Sequence, residues 1–229
     1  MSRLKRMLWS SMVVAVLLLG TFVHAADIDL VALTQETQRM SQKPDEMTMV
    51  WWVPEEFWTA SLAQTPGMTS TQVEEFLKVI RPYTMVAVVN GSIGAFGGVT
   101  YKTEDWVRAN TRLVDAKGTG YAPKTEDEVD ADTKNMLQMI KPVMVNVLGP
   151  MGQNLHFLLF PAKTSTGARI AAATDKGEFK VKLGTKEFKW RLPLDALLPV
   201  KVCGACKQEC KGSWSYCPWC GKNLAQKQP

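Results

Sequence analysis

Histidine is nearly missing from this chain: its 229 residues contain two, His24 and His156. His24 sits in the N-terminal apolar stretch, and His156 lies between Leu155 and Phe157. A lone imidazole among such neighbours is expected to be a satisfied core residue, not a general base. Cysteine is missing from the first 202 residues, so the body offers no thiol nucleophile and no disulfide. There is no G-x-S-x-G, and Gly91-Ser92-Ile93-Gly94 lacks its spacing. The glycine-rich run 91–98 contains no G-x-G-x-x-G and is expected to be a turn and bulge, not a phosphate cradle. The acidic pairs Glu55–Glu56 and Glu74–Glu75 are consecutive, so on a helix they diverge by about 100° and form no dyad. No residue is assigned a catalytic role, and the balance leans against an enzyme.

A strong excess of charge is also lacking. The formal charge is +5, and the basic groups collect at the two ends. Arg3, Lys5 and Arg6 precede the first apolar run, and Lys201, Lys207, Lys211, Lys222 and Lys227 face only Glu209 in the tail. The body between them is close to neutral, so it carries no footprint for nucleic acid, and none is expected as a partner.

What is present begins with an export signal. The basic start is followed by an unbroken apolar run from Met12 to Leu19, and Val23-His24-Ala25 predicts cleavage after Ala25. No cysteine follows the run, which excludes a lipoprotein anchor. The alternative is an uncleaved anchor in the inner membrane, because 8–26 is nearly long enough to span a bilayer. Either way the rest of the chain crosses the membrane, with a periplasmic or secreted body as the expectation. Contact with the membrane follows only if the signal stays attached.

The body, 26–199, reads in order as follows. Residues 27–46 are polar and weakly patterned, with a loop at 41–46. Met47 to Val53 is a strand rich in aromatic and β-branched residues. Pro54 opens a helix to about Gln64. A second helix carries Val73, Phe76, Leu77 and Ile80 on one face, with Thr71 and Glu74 as a capping box. Thr84 to Val89 is a central strand, and Asn90-Gly91 signals a hairpin turn. Val99–Tyr101 and Thr111–Asp115 are further strands, and Lys117-Gly118 turns the second. Thr125 and Glu128 form a second capping box, opening a helix that Pro142 stops or kinks. The acids Glu126 to Asp132 suit its positive end. Gly149 to Gly152 is a turn and Leu155–Phe160 an apolar strand. Glu178–Leu183 and Glu187–Leu192 alternate cleanly as a hairpin with one buried face. About seven strands with two or three helices predict an α+β fold, an antiparallel β-rich body arranged as a sandwich.

Aromatic residues cluster at Trp51, Trp52, Phe57 and Trp58. Trp51, Trp52 and Trp58 are a candidate ligand surface, since aromatic faces stack on sugars or grip peptides. Alternation puts Trp51 and Trp52 on opposite faces, so both are core only if helices cover the second face. That core arrangement is the favoured expectation.

The last stretch is the most specific. Cys203-Gly204-Ala205-Cys206 and Cys217-Pro218-Trp219-Cys220-Gly221 are two C-x-x-C pairs separated by residues 207–216. Each pair turns both sulfurs the same way, and Gly204 and Gly221 suit such turns because they tolerate positive φ. Four thiolates at tetrahedral corners suit Zn²⁺, with iron the alternative in the same S₄ set. Residues 200–225 resemble the zinc-ribbon modules, whose second knuckle often reads C-P-x-C-G. The resemblance implies Cys203, Cys206, Cys217 and Cys220 as ligands. Cys210 is left over, as an alternate ligand or free thiol. Outside the cytoplasm the competing readings are two disulfides or a redox pair. The expectation for the whole is an exported binding or interaction protein with a structural zinc ribbon and a protein partner. The alternatives are a thiol redox or metal-handling protein, and a ligand-binding or enzymatic body near the tryptophans.

Overall fold

The computed structural model describes residues 28–224, so the predicted signal, its cleavage site and the end of the tail lie outside the described residues. In chain order, α1 (Leu30–Thr37) leads into β1 (Gln38–Met40) and β2 (Glu46–Val53). Helices α2 (Glu55–Ala63) and α3 (Ser70–Ile80) follow, then the long β3 (Tyr83–Ile93) and β4 (Val99–Tyr101). Helix α4 (Glu104–Asn110) runs directly into β5 (Thr111–Val114), and β6 (Gly120–Tyr121) returns along it. Next come α5 (Ala131–Leu148), α6 (Pro150–Gln153) and β7 (His156–Pro161). The hairpin of β8 (Gly177–Leu183) and β9 (Lys186–Leu192) closes the body, and β10 (Lys201–Val202) with β11 (Glu209–Cys210) belongs to the tail.

The organising strand is β2. Period two sends Val50 and Trp52 to one face of its sheet and Met49, Trp51 and Val53 to the other, and all five are buried. It pairs antiparallel with β3, Val50 opposite Val88 and Trp52 opposite Val86. The other edge of β3 carries β4 and β7 end to end, while β1 lies along β2. The second sheet runs β6-β5-β8-β9, also antiparallel. One face of the first sheet packs on the second: Val50, Trp52, Val86, Leu158 and Phe160 meet Leu113, Phe179, Val181, Phe188 and Trp190. Trp52 stands edge-on to Phe179, whose ring stacks on Trp190 at 5.1 Å. Such ring pairs add about 0.5–1.5 kcal/mol beyond their buried area. The opposite face is covered by Trp58 of α2, Leu77 and Ile80 of α3 and Met136 of α5. The α+β body is therefore three layers: helices, a five-stranded sheet and a four-stranded sheet.

Several local expectations shift. The strand does not turn at Asn90-Gly91 but continues to Ile93. The Asn90 side chain accepts a 2.8 Å hydrogen bond from the Thr48 hydroxyl, which makes it an interior partner rather than a turn residue. Gly91 is there for close approach, because a Cβ would lie 3.0 Å from Val99 Cγ1 and 3.2 Å from the Thr100 carbonyl oxygen. The turn falls at Gly94–Gly98, closed by the Gly94 amide donating to the Gly98 carbonyl. Helix α3 begins earlier than predicted, with Thr69 and Gln72 as its capping box, while Glu74 pairs with Arg81. The Thr125–Glu128 box forms but caps a single 3-10 turn, and Asp130 caps α5 by accepting from the Thr133 amide. Helix α5 runs through Pro142. Packing of Met136 and Ile140 before it, and of Met144 and Leu148 after it, holds both halves on the same core. Among the described residues six α-helices replace the predicted two or three, since α1 and α4 lack a repeated apolar face and α6 is a single turn.

Candidate metal centre

Each C-x-x-C pair folds as a knuckle in which the first cysteine is bonded on both sides. The Cys203 carbonyl accepts from the Lys207 amide at 2.9 Å, and the Cys203 amide donates to the Gln208 carbonyl at 2.9 Å. The second knuckle repeats this, with the Cys217 carbonyl accepting from Gly221 at 2.9 Å and the Cys217 amide donating to Lys222 at 2.8 Å. The residue after each pair takes the left-handed conformation, Lys207 with φ 60° and Gly221 with φ 73°. Gly221 is thus required as expected, whereas Gly204 is not among the positive-φ residues and Lys207 bears that strain.

The knuckles face each other. The Sγ atoms of Cys203 and Cys220 are 3.6 Å apart, those of Cys206 and Cys217 are 3.5 Å apart, and all four lie within 4.8 Å of one another. Metal–sulfur bonds of about 2.3 Å place tetrahedral sulfurs about 3.8 Å apart, so the four cysteines are positioned to hold a metal ion. A disulfide needs a separation of about 2.05 Å, and all five cysteines are free thiols. Burial works against ionising Cys217, yet amide hydrogen bonds from Cys220 and Trp219 bring its thiol down to about 6. Amides of Cys206 and Ala205 lower Cys203 in the same way. Cys206 receives an amide bond from Gln208, but burial and the negative sulfurs around it push it up to about 12. Without a cation the cluster resists full ionisation; a dication would compensate the charge and release protons on binding.

Cys210 stands outside the four. It is buried on β11, and its thiol donates to the Gln208 carbonyl at 3.6 Å. Burial first, then the neighbouring Cys217, raises it to about 11, which keeps it a protonated thiol. Trp214 packs on the cysteines, while Tyr216 and Trp219 point outward, each 62 % exposed. The ribbon is tied to the body through Asp195, which accepts from the Ser213 amide at 3.0 Å and pairs with Lys211 at 3.5 Å.

The tryptophan surface does not exist as a surface. Trp51, Trp52 and Trp58 are 5, 2 and 9 % exposed. Trp52 lies between the sheets, while Trp51 and Trp58 lie under the helices, because α2, α3 and α5 cover the second sheet face. His156 is half-buried, 11 % exposed, and neither ring nitrogen makes a hydrogen bond of ordinary geometry. Its Nδ1 instead makes a long ion-pair contact with Glu104 Oε2 at 3.5 Å, and Arg108 pairs with the other carboxylate oxygen at 3.2 Å. These groups border a cleft of about 320 Å³ between α4 and α5. The cleft was not legible in the sequence, where Glu104 and Arg108 at i, i+4 were the single available signal.

No protein-family model, curated protein or solved structure matches the chain. The likeness to zinc ribbons rests on the cysteine spacing and the sulfur geometry.

Proposed function

We propose that this is an exported, non-catalytic interaction protein whose C-terminal ribbon holds one structural Zn²⁺ and presents an aromatic surface to a protein partner. The observation that carries the reading is the set of four sulfurs within 4.8 Å of one another. A site with four protein ligands leaves no position for water or substrate, so its ion organises the fold and performs no chemistry. Cys203, Cys206, Cys217 and Cys220 would hold it; the reading takes zinc from the likeness of the cysteine spacing to zinc ribbons, with iron the alternative in the same S₄ set. Tyr216 and Trp219 support the partner role, since large exposed aromatics are enriched at the centres of protein interfaces. Export rests on the basic and apolar N-terminus, and no helix among the described residues is long and apolar enough to cross a membrane.

A second reading, thiol redox chemistry, is favoured by the depressed Cys217 thiol. Metal content with a thiol count on the purified chain separates the two. One zinc per chain, with all five thiols reactive only after denaturation and chelation, is the expected result. No metal and a single free thiol would mean two disulfides and would replace the ribbon with the redox reading.

A further inference from the structure

The cleft beside His156 runs along the unpaired edge of a strand. Strand β7 pairs with β3 on one side only. Its ladder can be phased from its ends: the Ala162 amide donates to the Pro82 carbonyl, and Pro161, opposite Tyr83, has no amide to give. Narrow and wide pairs alternate along an antiparallel ladder. The bonds to β3 therefore come from Phe160, Leu158 and His156, while Leu159 and Phe157 turn their amides and carbonyls outward. The outward Leu159 carbonyl indeed accepts from the Lys124 amide at 2.8 Å, and the Leu155 amide is taken by the Gly152 carbonyl. Between these two stops, the Phe157 amide and carbonyl have no backbone partner among the described residues and belong to a half-buried residue, whereas Leu155 and Leu159 on either side are covered.

Two helices make this edge into a trough. Glu104 and Arg108 of α4 form one wall. Lys134, Leu137, Gln138 and Lys141, spaced i, i+3, i+4 and i+7 on α5, form the other. Glu104 and Arg108 neutralise each other, whereas Lys134 and Lys141 make no ion pair among the described residues and face Glu126 alone.

We propose that this trough binds an extended, acidic peptide segment of another protein, which adds to β7 as an edge strand. The pair of main-chain bonds to the Phe157 amide and carbonyl supplies the register, as in β-strand addition generally. Alternate side chains of the incoming strand reach opposite walls. One set meets Leu137 between the two lysines, where acidic groups are matched. The other meets the wall formed by Glu104 and Arg108. The trough shares no lining residue with the cysteine cluster, so the proposal does not rest on the metal site.

The test uses the full chain and a short capped peptide of alternating valine and glutamate, followed by NMR with hydrogen exchange. Saturable binding is expected, with slowed exchange of the Phe157 amide and no change on metal chelation. Lys134→Glu with Lys141→Glu, both at exposed positions that cannot disturb the core, should weaken binding by about tenfold or more. A peptide N-methylated at alternate amides, or one with lysine for glutamate, should not bind. Absence of saturable binding up to about 1 mM would overturn the proposal. Equal binding of the N-methylated peptide, or binding without protection of the Phe157 amide, would overturn it as well.

Discussion

Lys207 and Gly221 occupy the same position in the two cysteine knuckles, each one residue past a C-x-x-C pair and each left-handed, with φ 60° and 73°. Only one of them is the residue that this backbone favours. A side chain in that region costs about 1–2 kcal/mol, partly offset because glycine loses more freedom on folding.

Lys207→Gly is therefore expected to stabilise the ribbon by roughly 1 kcal/mol, and Gly221→Ala to destabilise it by a similar amount. Competition with a colorimetric chelator reads both. Equal metal retention by the two variants and the parent would show that the knuckles do not share this geometry.

Thr37 joins the two cores. Its hydroxyl accepts from the Trp51 indole at 3.0 Å, and its carbonyl accepts from the Trp190 indole at 3.0 Å. Thr37→Val keeps the shape but leaves the buried Trp51 N–H without a partner, at a cost of about 1–3 kcal/mol. Urea unfolding followed by fluorescence measures this, and a loss below about 0.5 kcal/mol would mean that the indole finds another acceptor.

The cysteine cluster packs with Trp214 and Leu224, apart from both body cores. Chelation under reducing conditions should change the near-UV signal of Trp214 and Trp219 while the main unfolding transition stays within about 0.5 kcal/mol. A body that melts with the ribbon would contradict this separation.

The His156 imidazole, then Arg108, holds the Glu104 carboxyl down to about 2. A depressed carboxyl contributes stability that is complete above its ordinary value near 4.5 and is lost as pH falls through about 2. In His156→Phe the Glu104 carboxyl should titrate closer to 4.5, as followed by carbon NMR of the side chain. An unchanged midpoint would assign the effect to Arg108 alone.

Legibility followed the range of the interaction. The β8–β9 hairpin could be read because Phe179, Val181, Leu183, Phe188 and Trp190 alternate with charges, and the structure pairs Val181 with Phe188 as that pattern requires. The cysteine positions could be read because ligand spacing is local. Helix α4 could not, since seven residues with one buried side chain, Val107, show no period. Helix α1 is similar: Leu33 and Thr37 are its buried residues, and since one of the two is polar the segment shows only weak patterning. Asn90-Gly91 misled because its turn chemistry was outweighed by a strand partner on either side.

By itself, the sequence determined the alternation of the strands, the opposite facing of Trp51 and Trp52, and the two cysteine pairs, all properties of residues near one another along the chain. Only the tertiary structure decided that helices cover the second sheet face and remove the tryptophans from solvent. It also decided that Cys210 stands outside the sulfur cluster, and that Glu104 meets His156 beside an open strand edge. Those outcomes depend on which distant segments pack together, and apolar packing is non-directional, so no local pattern encodes them.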